Sequence, residues 1–469
     1  MRAGRRAATA PVLALVWGLV GGPATAQRQT PPQGGPPRDF KLPAARTFQL
    51  DDGLGVTLVS HGTVPKARVS LVVRVGNLNE GPAETWLADL TGDLMREGTT
   101  ARSGEQLAAA AAGMGGAITV SVGPDQTTIG GEVLEEFTPD FVRLVADVAR
   151  NPRFPESELG RLKADRARDL SVAQREPGSI TLERFRRVMY PDHPYGRVFP
   201  TVEQVNGYTL EQVRRFHAAN FGAARSHLYV LGRFDAARVE GAARAALGDW
   251  ARGPEPLVNV PTPRSGRDVQ LIDRPGAPQS TIYLGLPVVD PSHPDWVALQ
   301  VTNTLLGGFF GSRITRNIRE QKGYTYAPRS QVSARYRDAY WVEIADVTTS
   351  VTGPALQEIF KEIATLRAEA PPADELRGIQ NYLAGTFVLQ NSSRSGIAGQ
   401  LTYVRLHGLG DDYLSNYVRR VHGVTAADVQ RIARQYLVPE RMLIVVTGDL
   451  KQIEEQVAPF RSVVPSSPD

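Results

Sequence analysis

The chain has 469 residues, no cysteine, and 53 basic against 49 acidic side chains, for a formal charge of +4. The missing cysteines exclude disulfides, a thiolate nucleophile, thiolate metal sites and a lipid-modified N-terminal cysteine. The length allows two or more domains of ordinary size, and the small net charge, with no basic run interleaved with aromatics, argues against nucleic acid as a partner.

In chain order, Arg2, Arg5 and Arg6 form a basic start, residues 12–20 an apolar run, and Ala24-Thr25-Ala26 an A-x-A site. This is the layout of a secretory signal over residues 1–26, with an apolar run too short to span a bilayer. No other run is long enough either, so no membrane span is expected. The signal holds three Arg and no acid, which leaves 50 − 49 = +1 for the rest. Residues 27–39 are rich in Pro, Gly and Gln and read as a leader.

From residue 40 the pattern is that of a folded unit. Residues 48–59 read as a hairpin turning at Asp52-Gly53, and Val69-Ser-Leu-Val-Val-Arg-Val as a strand. A helix is expected over 83–97, then a hairpin over 115–131 turning at Gly123-Pro124-Asp125. Helices are expected over 139–150 and 155–174, followed by the turn-rich Tyr190-Pro-Asp-His-Pro-Tyr-Gly-Arg. His193 in that loop is assigned to packing and capping. Thr209 with Gln212 has capping-box spacing and opens a helix. A strand at 227–232 and a helix from Asp235 close the unit, which spans 40–252.

Residues 253–268 read as a Pro/Gly linker, 269–460 as a second unit and 461–469 as a tail. The order of elements then repeats. Val205-Asn-Gly-Tyr-Thr209 aligns with Val421-His-Gly-Val-Thr425 at an offset of 216, and at the same offset Leu228, Val230 and Gly232 meet Ile444, Val446 and Gly448. A helix and a strand kept at constant offset predict an α+β fold of two homologous domains. Each is a mixed, mostly antiparallel β-sheet with helices packed on one face.

Residues 305–328, Leu-Leu-Gly-Gly-Phe-Phe-Gly-Ser-Arg-Ile-Thr-Arg-Asn-Ile-Arg-Glu-Gln-Lys-Gly-Tyr-Thr-Tyr-Ala-Pro, hold a glycine-rich loop and a short amphipathic helix with Ile314 and Ile318 on one face. Gly323 is placed for a left-handed helix end, and Tyr324-Thr325-Tyr326 for a strand start. Arg316, Arg319 and Lys322 also complement the negative end of the helix dipole. This stretch resembles the C-terminal-domain signature of insulinase/pitrilysin-type metallopeptidases, the zinc proteases with an inverted His-x-x-Glu-His motif. The resemblance extends over residues 45–460. It implies that Arg319 and Tyr326 bind substrate or its oxyanion in trans. It also implies that Gly307, Gly308, Phe309, Phe310 and Gly311 contact the peptide.

The family's zinc motif precedes a Gly-Thr by fixed spacing, and anchoring on Gly98-Thr99 puts Asp89, Gly92 and Asp93 at the His, Glu and His positions. Asp169 falls at the third-ligand position and Leu162 at that of a supporting Glu. Both imidazoles and the general base are therefore missing. Asp89, Asp93 and Asp169 could converge as three carboxylates suited to calcium or magnesium, or be solvated acids; no metal is assigned to this chain. A helix interior that tolerates Gly92 between two acids is expected to face a water-filled cavity.

The resemblance thus implies a non-catalytic, substrate-binding subunit of an exported heterodimeric zinc metallopeptidase, periplasmic or secreted and inactive alone. Its partner would be a homologous subunit carrying His-x-x-Glu-His and the zinc. The alternatives are a scaffold member of the same family with no part in proteolysis, and a free-standing hydrolase using the three Asp.

Overall fold

Strand and helix signals repeat along the chain because one architectural plan is used twice. The computed structural model describes residues 41–410 and 412–461. The segments read as signal (1–26), leader (27–39) and the tail after residue 461 lie outside the described residues. The described residues form one compact unit.

The first half runs β1 (Ala45–Gln49), β2 (Gly55–Ser60), β3 (Lys66–Val73), α1 (Leu87–Arg96), α2 (Gly104–Gly113), β4 (Thr119–Val122), β5 (Thr127–Leu134), α3 (Thr138–Arg150), α4 (Glu156–Ala173), α5 (Pro177–Met189), α6 (Val202–Gly207), α7 (Leu210–Asn220), β6 (Ser226–Gly232) and α8 (Ala236–Leu247). The second half runs β7 (Asp268–Asp273), β8 (Gln279–Val288), α9 (Trp296–Leu306), a π-helical segment (Thr315–Gln321), β9 (Arg329–Arg335), β10 (Asp338–Thr348), α10 (Thr352–Ala368), α11 (Ala373–Gln390), α12 (Arg394–His407), α13 (Tyr413–Gly423), α14 (Ala426–Tyr436), β11 (Leu443–Gly448) and α15 (Leu450–Val457).

The sheet orders are β1-β2-β6-β3-β5-β4 and β7-β11-β8-β10-β9. With β1 set aside they are the same order. β2/β6 and β7/β11 are parallel, and the other pairs are antiparallel. The offset of 216 is also a register: Leu228 lies between Val56 and Leu71, and Ile444 between Val269 and Leu284. Each sheet buries one face against its own helices. Leu71, Val230, Phe141 and Val145 meet in the first core, and Leu284, Ile444, Ile314 and Ile359 in the second. Thr209 caps α7 through Gln212 as its sequence spacing requires.

Two of the departures from what the sequence pattern predicts bear on how the first half is built. The helix expected from residue 83 starts at Leu87, because Trp86 takes a left-handed backbone (φ 70°) and ties its indole N–H to the Val198 carbonyl at 2.9 Å. Residues 177–189, for which local pattern predicts no element, form α5. It is opened by Pro177 and capped by the Glu176 carboxylate on the Gly178 and Ser179 N–H groups. The Pro-Gly start reads as a turn, and Arg184, Arg186 and Arg187 hide the apolar stripe.

α5 leaves its own half. Phe185 packs on the outer face of the second sheet against Tyr283 and Tyr340. Reciprocally, Ile397 and Ala398 of α12 cover Val72 and Leu231 of the first sheet. The Tyr190 hydroxyl donates to Asp338 at 2.5 Å, and Arg394 pairs with Glu132 at 2.5 Å, so polar groups also join the halves. His193 holds the 190–197 loop: Nδ1 accepts the Tyr195 N–H at 3.2 Å. Among the described residues no helix is long and apolar enough to cross a membrane.

Candidate functional site

The segment after α9 places Arg319 and Tyr326 together. Thr315–Gln321 winds with wide turns, and Lys322 N–H reaches the Asn317 carbonyl five residues back at 3.0 Å. Such turns are uncommon and often mark sites of function. Ile314 and Ile318 anchor the segment in the core. Gly323, at φ 66°, ends it in the left-handed conformation anticipated from sequence. The chain then turns back, and Thr325 makes a single bridge to Val347. Tyr326 was expected on a strand; it lies in the loop before β9, which starts at Arg329. A residue inside the sheet would be clamped by neighbours, whereas the loop leaves Tyr326 80% exposed.

The Arg319 guanidinium lies over two rings, 4.2 Å from the centroid of Phe310 and 4.8 Å from that of Tyr326. Cation–π contact of this kind draws on the charge and leaves the guanidinium N–H groups as donors. Its Nε pairs with Glu320 at 3.0 Å. Neighbouring cations are committed elsewhere: Arg313 and Arg316 to Glu375 of α11, and Lys322 to Glu358 of α10. Arg319 is thus the cation of this segment that lies at the exposed aromatic edge and pairs within its own segment rather than with α10 or α11.

The glycine-rich loop turns out to be shaped by what lies beneath it. A Cβ on Gly307 would sit 2.6 Å from Ser330 Oγ and 2.7 Å from Glu343 Oε2; on Gly308, 2.8 Å from Asn303 Nδ2; on Gly311, 2.8 Å from the Phe309 ring. These glycines admit the protein's own groups. Phe309 packs on Tyr382 of α11 at 5.0 Å, while Phe310 is 63% exposed. Glu343, which no sequence motif singles out, is fully buried on β10 below Gly307, and burial pushes its carboxyl well above the usual range against the opposing charge of Arg329. Gly307→Ala is expected to cost about 1–3 kcal/mol by overpacking, read as a lower urea midpoint. An unchanged midpoint would mean that the loop does not sit on Ser330 and Glu343.

The positions equivalent to the zinc motif look different. Asp89, Gly92 and Asp93 lie on α1. Arg166 of α4 lies between the two acids: its Nε donates to Asp93 Oδ2 at 2.7 Å, and a terminal nitrogen lies 3.7 Å from Asp89 Oδ1. Asp89 also accepts from Asn77 at 2.8 Å, and Asp93 from Arg96 at 3.0 Å. Burial raises the Asp89 pKa, against the pull of Arg166. Asp169 is exposed on α4 and does not join them. Among the described residues no group of three His, Cys, Asp or Glu is placed to hold a metal. The expected convergence of three carboxylates is therefore corrected. So is the expected cavity. Gly92 is buried, and a Cβ there would lie 2.7 Å from Val122 and 3.3 Å from Val120, so β4 fills the space. Carboxylates already paired to a guanidinium, without an imidazole, do not fit a zinc ion.

Beside α1, Glu80 is buried and accepts the Ala88 N–H at 2.9 Å and Asn77 Nδ2 at 3.1 Å. Burial is the main cause that lifts its pKa from 4.5 to about 8, with the charge of Asp89 adding to it. The folded-state pKa is raised, so its contribution is fully present below pH 4.5 and is lost as pH rises toward 8. Glu80→Gln keeps an acceptor for Ala88. It is expected to flatten stability over that window, a difference on the order of a few kcal/mol, in urea titrations at stepped pH. Parallel wild-type and variant curves would refute the assignment.

Comparison with known proteins gives two family matches. The insulinase (peptidase family M16) model matches residues 56–199, and the peptidase M16 inactive-domain model matches 207–383. An uncharacterised zinc protease of Streptomyces coelicolor is 24% identical over 414 residues, covering 87% of this chain and 90% of that protein. One from Mycobacterium bovis is 26% identical over 412 residues, covering 84% and 91%. The crystal structure of a peptidase M16 inactive domain from Pseudomonas fluorescens superposes with TM-score 0.80 at 23% identity, covering 86% of this chain and 98% of that one. A Helicobacter pylori protease superposes at 0.81 with 19% identity, covering 87% and 100%. The two superpositions concern the fold alone.

Proposed function

The chain belongs to the insulinase-type (M16) peptidase family as a member lacking the catalytic motif, and we propose that it is the substrate-gripping subunit of an exported heterodimeric zinc metallopeptidase. The observation that carries this reading is the Phe310–Arg319–Tyr326 cluster. It is a cation held over two exposed rings, in a chain whose zinc-motif positions are closed by Arg166 and Val122.

In this reading the zinc and the general base come from a homologous subunit carrying His-x-x-Glu-His. Arg319 donates charge-assisted hydrogen bonds to the scissile carbonyl and to the oxyanion that develops there. The Tyr326 phenol is a second donor. Phe310 offers an apolar face to the peptide, and the loop over 307–311 sets that ring against the guanidinium. The zinc ion would be held by the partner's residues, and no step is assigned to Asp89, Asp93 or Asp169. Residence in the periplasm or outside the cell rests on the signal pattern of residues 1–26.

The test is a peptidase assay of this chain alone, of the zinc-bearing homologue alone, and of the mixture. Activity confined to the mixture, or strongly raised in it, is expected. A mixture no faster than the homologue by itself would remove the chain from catalysis.

A further inference from the structure

α1 carries Asp89 and Asp93 one turn apart, where like charges repel. Both acids are about four-fifths covered, and so is Arg166, the cation that reaches them from α4. Its Nε and one terminal nitrogen meet the same Asp93 oxygen at 2.7 and 2.6 Å; the other terminal nitrogen lies 3.7 Å from Asp89 Oδ1. Beside the two acids, at i+3 from Asp89, Val122 and Val120 of β4 lie where a side chain at position 92 would start.

We infer that Arg166 has taken over the metal ion's structural work, joining α1 to α4 as a built-in cation, and that it and β4 together bar a metal and a general base from this site. A guanidinium and a divalent cation both neutralise facing acids, but they leave different coordination behind. A catalytic metal keeps a position open to an exchangeable ligand, whereas Arg166 fills its place with covalently tethered, in-plane N–H groups that donate and cannot accept. The cross-link needs no ligand from solution, so the fold of this half is independent of divalent ions. Restoring imidazoles alone would set them against a fixed positive charge. This inference concerns the chain's own packing and stands apart from the proposed partnership.

Thermal unfolding of the full chain tests it, together with metal analysis of the purified protein. Wild type is expected to carry no stoichiometric metal and to keep its Tm with EDTA. Arg166→Met is expected to lower the Tm by about 3–6 °C, Arg166→Lys to lose less, and the neutral triple variant D89N/D93N/R166M to regain most of the loss. Should Arg166→Met fail to fold, a triple variant that folds normally supports the inference in its place. Zinc affinity of D89H/D93H is expected to rise about tenfold or more when Arg166→Ala is added, because the opposing charge is gone. The inference is overturned by stoichiometric metal in wild type, by an unchanged Tm in Arg166→Met, by a triple variant no better than the single one, or by zinc binding to D89H/D93H that is indifferent to Arg166.

Discussion

Replacing Arg319 by alanine is expected to depress peptide turnover by a mixture with the zinc-bearing homologue by ~10²–10³, the usual cost of one oxyanion donor. Assembly should survive, because among the described residues the side chain pairs with Glu320 of its own segment and lies over two exposed rings. The fall should appear in kcat more than in KM if the guanidinium acts on the developing charge, and in KM alone if it only holds the peptide. Arg319→Lys should recover little, since an ammonium does not offer a planar fork over Phe310 and Tyr326. Arg316→Ala is the control: it lies one turn away and is paired to Glu375. Equal losses in both variants would mean that the effect comes from the segment's stability. Full activity in Arg319→Ala would take the residue out of the mechanism.

Phe185→Ala is expected to destabilise the chain by about 3–5 kcal/mol, the range for deleting a fully buried aromatic ring. The ring comes from the first half yet fills a space on the second. Its centroid lies 5.5 Å from that of Tyr340 and 6.0 Å from that of Tyr283. Gly285 in β8 leaves room for it, since a Cβ there would lie 2.9 Å from Phe185 Cζ. Hydrogen exchange should therefore speed up in β8 and β10, not only in α5. Protection lost in the first half alone would show that the ring does not join the two sheets. Ile397→Ala on α12 is the reciprocal probe for β3 and β6, with a smaller loss because a smaller side chain is removed.

Local patterns in the sequence determined a good deal. Alternation and turn residues sufficed for β2, β3, β5 and their turns, because strand pairing in a hairpin is a short-range matter. Thr209 marked a helix start through a cap that is complete within four residues. The constant offset between the tails gave the duplicated architecture, since a register kept over a helix and a strand leaves one way to pair the strand in each sheet. It was the resemblance to the insulinase/pitrilysin-type signature, and not spacing alone, that singled out Arg319 and Tyr326 and the missing imidazoles at positions 89 and 93.

Only the tertiary structure decided the rest, and in each case the partner lies far along the chain. α5 is ambiguous by itself, and it becomes a helix with a face to bury when β8 and β11 are beside it. The glycines at 307, 308 and 311 read as openings for a peptide until Ser330 and Glu343 were found against the first, Asn303 against the second and the Phe309 ring against the third. The three Asp looked able to converge because sequence spacing says nothing of rotation about a helix axis. Asp169 faces solvent, and Arg166, three residues earlier, is the side chain that turns inward. Charge compensation between largely covered groups depends on distance in space, and residues 93 and 166 become neighbours only when α1 and α4 pack.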